Sequence, residues 1–145
     1  CCIRKWYTPE DTVNEYDGSL DFYVIRYAEV LLSLAEAMIE KGGYPQAEIT
    51  GYINEVRARV GMPAVEVVEG TNLNKEELRA IVRHERRVEL GLEFDRFYDL
   101  VRWGIAKEVL HAVGKTGYQD RHALLPIPQD EIDKSNGVLV QNPNY

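Results

Sequence analysis

Cysteine is scarce in this sequence, since only Cys1 and Cys2 occur and they are adjacent. Neighbouring cysteines rarely bridge each other, so no disulfide framework is predicted and the redox compartment stays open. Long apolar runs are also absent, because no stretch approaches the roughly 18 residues that a membrane-spanning helix needs. The sequence has no recognisable signal peptide and no initiator Met. We expect the chain to be the C-terminal piece of a longer protein or a processed product.

Positive charge is in deficit, with 17 Lys and Arg against 24 Asp and Glu and a net charge of -7. Such a balance opposes non-specific attraction to phosphate backbones. The most arginine-rich stretch, residues 74–103, contains seven positive and seven negative side chains and therefore has no net charge. Nucleic acid is accordingly excluded as a predicted partner.

Motifs for catalysis and for cofactor binding are missing as well. The sequence has no Gly-rich phosphate loop and no G-x-S-x-G motif. The stretch "HERRVE" begins like the zinc motif H-E-x-x-H, but Val88 stands where the second histidine ligand should be. The lone His84 is expected at the surface or in a hydrogen bond. We predict no metal, no cofactor and no enzymatic activity.

The composition that remains is that of a folded globular chain, with 45% hydrophobic and 28% charged residues in 145 residues. A chain of this length can bury roughly 68 to 70% of its unfolded surface in one core. We therefore predict a single domain over residues 1–145, helical over residues 21–112, with an irregular tail over residues 113–145.

Apolar periodicity predicts helices and little else. From Val24 to Ile39 the apolar and small residues recur at the i, i+3, i+4, i+7 spacing of one helix face. A second helix is predicted from Pro45 to Val60, ended by Gly61. The stretch "LNKEEL" predicts the start of a third helix with Asn74 as the cap.

Glycine and proline predict where the helices stop. Gly91 is expected to bend or break the chain between two helices. Prolines at 126, 128 and 143 predict an extended tail, in which "PQDEI" adds one short helical turn. Apolar residues between Leu124 and Val140 are expected to pack back on the helices.

The stretch "RRVELGLEFDRFYDLVRW" mixes acids, arginines and apolar residues unusually closely. One apolar face of the third helix is predicted to carry Leu78, Ile81, Val82, Val88 and Leu92. Glu85 and Glu89 would then lie on that same face. Buried carboxylates require cationic partners. We therefore predict a structural ion-pair network, and a catalytic carboxylate pair like that of glycoside hydrolases is the less favoured alternative. The network comprises Arg26, Arg57, Arg83, Glu85, Arg86, Glu89, Arg96, Asp99 and Arg102.

Aromatic side chains make up 10% of the chain and crowd before the first helix. Sugar rings stack on such side chains, although most aromatic residues simply pack in cores. Trp6 and Tyr7 are the candidate ligand-binding residues of this segment, and core packing is the alternative for both.

Five phrases, in this order, resemble one known family. They are "VIRYAEVLLSLAEAM", "INEVRARVGMP", "EELRAIVRHERRVELGLEFDRFYDLVRWG", "LLPIPQDEID" and "QNPNY". Together they are similar to the C-terminal region of SusD/RagB-type nutrient-binding proteins, and the resemblance runs from about Arg4 to Tyr145. It implies an all-α fold with tetratricopeptide-like helix pairs and an extended, proline-containing C-terminal tail. The turn "GGYPQA" is similar to the turn within such a pair.

The resemblance also implies a function. Members of that family are lipoproteins that face outward on the outer membrane and bind a glycan or other nutrient, without turning it over, beside a TonB-dependent transporter of the SusC type. It implies that the lipid anchor and most of the binding site lie in residues outside this chain, so Cys1 and Cys2 are not lipidation candidates. The alternative is a helical-repeat scaffold that binds a peptide or protein, and a helical hydrolase using Glu85 and Glu89 ranks third.

Overall fold

The computed structural model describes Lys5 and residues 23–145, and the regular secondary structure of these residues is helical, with no β-strand among them. The predicted all-α class is confirmed, while the tetratricopeptide-like pairing stays a prediction. The chain divides into two compact units, Cys1–Asp95 and Arg96–Tyr145, which are described separately. In the described residues the helices are α1 (Tyr27–Lys41), α2 (Gln46–Arg59), α3 (Val65–Val68), α4 (Lys75–Glu89), α5 (Asp95–Arg102), α6 (Ala106–Ala112) and α7 (Gln129–Lys134), with a 3₁₀ helix at Asp120–Ala123.

The core of the first unit lies where α1 packs against both α2 and α4. Each helix contributes the apolar positions of its 3.6-residue period, so that one stripe per helix is removed from water. The largest fully buried side chains of this unit are Leu32, Thr50, Ile53, Val65 and Val82. Because α1 contacts both of the other long helices, it is the central helix of the unit.

Helix α1 begins later than its apolar spacing predicted. Arg26 has extended backbone, with φ -130° and ψ 160°, and the helix starts at Tyr27. Val24 and Ile25 precede the helix and are 81% and 70% exposed, so their predicted place on the buried face is wrong. At the other end, Gly42 takes the positive φ of 73° that a non-glycine residue rarely adopts.

The start of α4 agrees with the capping motif in the sequence. Asn74 Oδ1 accepts from the backbone N–H groups of Glu76 and Glu77 at 2.9 and 3.1 Å. Glu77 Oε2 in turn accepts from the backbone N–H of Asn74 at 2.7 Å. This reciprocal arrangement satisfies donors that the first turn of a helix leaves unpaired.

The inner face of α4 carries charge where apolar side chains were expected. Val88 is 60% exposed, and Leu92 is 57% exposed with a positive φ of 68° beyond the end of the helix. Their predicted place on the apolar face is therefore wrong. The inner positions of the last two turns belong instead to Glu85 and Arg86, which are 5% and 4% exposed. The expected break near Gly91 is present, because α4 ends at Glu89 and α5 begins at Asp95.

Contacts between aromatic rings hold the irregular segments of the second unit. Tyr118 lies 6.2 Å from the ring of Phe97 in α5 and 5.7 Å from the ring of His122. Tyr145 lies 6.5 Å from the His122 ring and donates its hydroxyl hydrogen to the carbonyl oxygen of Leu124 at 2.9 Å. The C-terminus is thereby tied to the 3₁₀ segment.

The tail is less buried than its apolar content suggested. Leu125, Val138 and Val140 are each 80% or more exposed, so the expected burial of these side chains is wrong. Ile127 and Ile132 are half-buried. The helical turn predicted at "PQDEI" is present as α7. No helix in residues 23–145 combines the length and the apolar character required to cross a membrane.

Replacing the helix cap should destabilise the first unit. We expect Asn74→Ala to lower the free energy of unfolding by about 1 kcal/mol, because two N–H groups at the start of α4 lose their acceptor. Asn74→Ser is the matched control, since the hydroxyl oxygen can accept the same hydrogen bonds. Urea denaturation followed by circular dichroism measures both variants. Equal stability of Asn74→Ala and wild type would contradict the capping role.

Candidate functional site

A deeply buried ion pair joins α2 to α4. Arg57 donates from Nε and Nη2 to the same oxygen, Oε1 of Glu85, at 3.0 and 2.6 Å. The two side chains are 6% and 7% exposed. Arg57 lies one helical turn after Ile53, and Glu85 lies seven residues after Leu78, so both occupy core-facing positions of their helices. The pair therefore replaces an apolar contact between these helices.

Arg26 forms a second connection between helices, because it joins the start of α1 to the end of α4. Its Nη1 donates to Glu89 Oε1 and its Nε to Glu93 Oε2, both at 2.6 Å. Its Nη2 donates to the backbone carbonyl oxygen of Glu89 at 2.6 Å. A guanidinium in this place satisfies a carbonyl at the helix end and complements the negative end of the helix dipole.

Two further cations complete this junction. Arg59 Nη2 donates to both carboxylate oxygens of Glu89, at 2.8 and 2.9 Å. Lys5 Nζ donates to the carbonyl oxygens of Glu89 and Gly91, at 2.7 and 2.9 Å, and forms an ion pair with Glu93. The cations surround a pocket of about 400 Å³. We call Lys5, Arg26, Arg59, Glu89 and Glu93 the α4-end cluster.

Glu93 is held as a carboxylate within the α4-end cluster. Burial acts to raise its pKa, but hydrogen bonds from Arg26 and Lys5 outweigh burial, and the pKa lies below its usual value. A general acid would need a proton at neutral pH, which cationic donors on the carboxylate disfavour. The cluster is therefore arranged for holding helix ends together.

A third buried pair links α4 to α1. Arg86 Nη1 donates to the hydroxyl oxygen of Ser33 at 3.0 Å, and Arg86 Nε lies 3.9 Å from Glu36 Oε2. Arg86 and Glu36 are 4% and 8% exposed. Arg83, one turn earlier on α4, is half-buried. Helix α4 thus directs charged side chains toward both α1 and α2.

The remaining residues of the predicted network belong to the second unit. Arg102 donates from Nε and Nη2 to Asp99 Oδ1, at 3.0 and 2.8 Å, and Asp99 is 3% exposed. The guanidinium carbons of Arg102 and Arg96 lie 4.9 and 5.9 Å from the centre of the Trp103 ring, at cation–π distance. Arg96, Asp99, Arg102 and Trp103 are therefore in contact with one another within that unit.

Sequence reasoning missed several participants in these contacts. Lys5 and Arg59 were not assigned partners, and Glu36 and Glu93 were not placed in the network. The sequence does contain a signal for Glu93 as a network member, since Glu93 follows Glu89 by four residues in a stretch dense with arginine. Glu36 also has one, because it interrupts the apolar spacing of α1 between Leu32 and Ile39. Nothing in the local sequence marks Lys5.

The predicted ligand-binding residues, Trp6 and Tyr7, lie outside the described residues. Within residues 23–145 and Lys5, no three His, Cys, Asp or Glu side chains are grouped as metal ligands.

Comparison with known proteins connects this scaffold to a family. The family model described as "SusD family" matches residues 1–145. SusD-like protein P2 of Formosa agariphila is 35% identical over 144 residues, which is 91% of this chain and 27% of that protein. SusD-like protein P25 of the same organism is 33% identical over 145 residues, covering 96% of this chain and 27% of that protein.

The chain belongs to the SusD family.

Solved structures agree with this family in fold. A SusD homologue from Bacteroides thetaiotaomicron VPI-5482 has a TM-score of 0.74 at 33% identity, covering 86% of this chain and 27% of that chain. A structure described as a laminarin-binding SusD-like protein has a TM-score of 0.65 at 39% identity, covering 85% of this chain and 23% of that chain. The present chain therefore spans about a quarter of the length of its SusD-family relatives.

In this SusD-family scaffold, removing one partner of the Arg57–Glu85 pair should be costly. We expect Glu85→Ala to lower the free energy of unfolding by roughly 3 to 5 kcal/mol, because Arg57 would stay buried without its counter-charge. Chemical denaturation measures the loss. Glu48→Ala, at an exposed position of α2, is the control and should change stability by less than about 0.5 kcal/mol. A wild-type midpoint for Glu85→Ala would rule out a structural role for the pair.

A surface ion pair of the same unit should make stability depend on acid pH. Arg79 donates to both carboxylate oxygens of Glu40, at 2.6 and 2.8 Å, and Lys75 lies 3.3 Å from Oε2. These contacts, Arg79 first, lower the pKa of Glu40 from 4.5 to about 2. A lowered folded-state pKa adds stability above the unfolded value, and that stability is lost as pH falls from about 4.5 toward 2.

We therefore expect Glu40→Gln to lower the melting temperature at pH 6 and to have progressively less effect as pH falls toward 2. Differential scanning calorimetry at a series of pH values measures this difference. Arg79→Met supplies the control background, in which Glu40→Gln should have a smaller effect because Lys75 still lies beside the carboxylate. If the difference in melting temperature between wild type and Glu40→Gln stayed constant with pH, the lowered pKa of Glu40 would be refuted.

Proposed function

We propose that this chain is the C-terminal portion, folded as one domain, of a SusD-family protein that binds a glycan at the outer membrane and delivers it to a TonB-dependent transporter of the SusC type. The observation that carries this proposal is the likeness to a laminarin-binding SusD-like protein, at 39% identity over 85% of the chain. Identity of this level over a continuous helical region supports a shared scaffold, and through it a related ligand class. The parent protein would carry its lipid anchor outside these residues.

Within that protein, the proposed role of this chain is to supply helical scaffold. Three long helices are joined by buried pairs at Arg57–Glu85 and Arg86–Glu36 and by the α4-end cluster. Such pairs have direction and fixed geometry, and they select one register between helices more strictly than apolar contacts do. A fixed scaffold would hold ligand-contacting residues of the parent in place, which limits the entropy lost on binding.

Binding without turnover is the proposed mode of action. Glu85 and Glu89 each accept two or more hydrogen bonds from arginine side chains, so their carboxylate oxygens are engaged by partners within the scaffold. Neither carboxylate is therefore arranged as the general acid that glycoside hydrolysis requires. Trp6 and Tyr7 are the residues of this chain proposed to reach a sugar ring, and the main contacts would come from the rest of the parent.

Affinity electrophoresis of the full-length parent in gels that contain laminarin tests this proposal. We expect the parent to be retarded by one or more polysaccharides of a panel that includes laminarin, and the polysaccharide to keep its length after incubation. Trp6→Ala and Tyr7→Ala should weaken binding modestly, whereas Glu48→Ala should not affect it. Shortening of the glycan would refute the non-catalytic role. If the parent bound none of the polysaccharides but bound a peptide, the alternative of a helical scaffold for protein partners would be favoured.

A further inference from the structure

The 3₁₀ helix at Asp120–Ala123 is capped by one of its own side chains. The backbone N–H of Gln119, the residue before the helix, donates to Nδ1 of His122 at 3.1 Å. On the other side of the ring, Nε of Arg121 lies 3.3 Å from Nε2 of His122. Both nitrogens of this imidazole therefore face N–H donors, which can bond only to a nitrogen that carries no hydrogen.

Protonation of His122 is incompatible with these contacts. The neutral ring keeps one nitrogen that accepts a hydrogen bond, whereas the imidazolium carries a hydrogen on both nitrogens and accepts none. The imidazolium would also lie beside the guanidinium of Arg121, which does not lose its charge in proteins. A proton on His122 therefore removes the acceptor for Gln119 and places two cations next to each other.

The other titratable groups around His122 are two phenols and one carboxylate. The ring centres of Tyr118 and Tyr145 lie 5.7 and 6.5 Å from that of His122, and phenols carry no charge at neutral or acid pH. Asp120, at the start of the same 3₁₀ helix, pairs its Oδ2 with the lysine Nζ of α6 at 2.9 Å. The charge that faces the imidazole is therefore that of the neighbouring guanidinium.

The same arginine holds the last residues of the tail. Arg121 Nη1 donates to the carbonyl oxygen of Asn144 at 3.0 Å, and its guanidinium carbon lies 5.2 Å from the centre of the Tyr145 ring, at cation–π distance. The Tyr145 hydroxyl lies 3.2 and 2.9 Å from the carbonyl oxygens of Arg121 and Leu124. We call Arg121, His122, Asn144 and Tyr145 the tail clasp.

A second attachment of the tail does not involve a titratable group. The side-chain amide of Gln141 accepts from the backbone N–H of Ile127 at 2.8 Å and donates to the carbonyl oxygen of the same residue at 2.9 Å. Amide groups neither gain nor lose a proton between pH 5 and 8. This contact therefore stays closed over the range in which a histidine titrates.

A second histidine of this unit has the opposite response to a proton. Nε2 of His111 in α6 lies 2.9 Å from the carbonyl oxygen of Tyr118. A carbonyl oxygen can only accept, so this nitrogen donates a hydrogen whether the ring is neutral or protonated. Protonation preserves the contact of His111 and breaks that of His122.

We propose that the tail clasp is a pH-sensitive contact, closed while His122 is neutral and loosened when His122 takes up a proton. Histidine side chains ordinarily titrate at about 6.5, within the range from about pH 5 to 8. Because the folded contacts require the neutral ring, the clasp is complete above that range and its stability is lost as pH falls through it. Loosening affects residues 119–124 and 144–145, while Gln141 keeps the rest of the tail attached. The proposal does not depend on the proposed function.

Hydrogen exchange of the full-length parent, measured by mass spectrometry at about pH 7.5 and about pH 5.5, tests this proposal. After correction for intrinsic exchange rates, we expect the protection of residues 119–124 to fall on the order of threefold to tenfold at the lower pH. This is the ratio expected for the net loss of about one hydrogen bond. Overlapping peptides that contain Ile127, and peptides from α2, should keep their protection.

Variants of the two histidines identify the group that titrates. His122→Asn is the conservative variant, because the asparagine oxygen can accept from the backbone N–H of Gln119 at any pH. We expect His122→Asn to stay protected at both pH values, and His122→Ala to be weakly protected at both. His111→Gln is the matched control and should keep the pH dependence of the wild type. If His122→Ala does not fold, the comparison of wild type with His122→Asn decides.

Four results would overturn the proposal. Equal protection of residues 119–124 at the two pH values in the wild type would show that the clasp does not respond to protons. A pH dependence that persists in His122→Asn, or disappears in His111→Gln, would assign the response to another group. An equal loss of protection in α2 would show general destabilisation by acid in place of a local change.

Discussion

The buried charge on helix α4 is the constraint on which the rest of the first unit depends. Glu85 and Arg86 are adjacent in sequence and both almost fully buried, yet they point to different neighbours, Arg57 on α2 and Glu36 on α1. An unpaired charge in such a place would cost several kcal/mol, so both neighbours must stand in register with α4 at once. This requirement restricts how the three helices can lie relative to one another, in addition to their apolar packing.

The α4-end cluster likewise pairs carboxylates with cations, here at the end of the helix. Arg26 and Lys5 neutralise Glu93 and also donate to carbonyl groups that the last turn leaves without a backbone partner. One set of cations therefore stabilises carboxylates and a helix terminus together. Membership of the SusD family places this arrangement in the scaffold of a proposed glycan-binding protein, where a firm framework serves binding better than a reactive carboxylate would.

Helix α1 presents a different situation, because three of its large apolar or aromatic side chains are exposed. Amphipathic helices commonly leave a polar face toward water, and α1 leaves Tyr27, Val30 and Leu34 exposed in addition to Ser33, Glu40 and Lys41. The chain spans about a quarter of the length of its SusD-family relatives.

The sequence by itself determined the elements whose causes are local. The helical class follows from 3.6-residue periodicity, the start of α4 from the capping residues Asn74 and Glu77, and the break after Glu89 from nearby glycine. The sequence also placed Glu85 and Glu89 on an inward face and called for arginine partners. Only the tertiary structure decided which arginines these are, because partner choice depends on how helices far apart in sequence meet. For the same reason it decided that Val88 and Leu92 face outward and that Lys5 reaches the end of α4. Local spacing fixes the face of a helix, but long-range packing decides what that face meets.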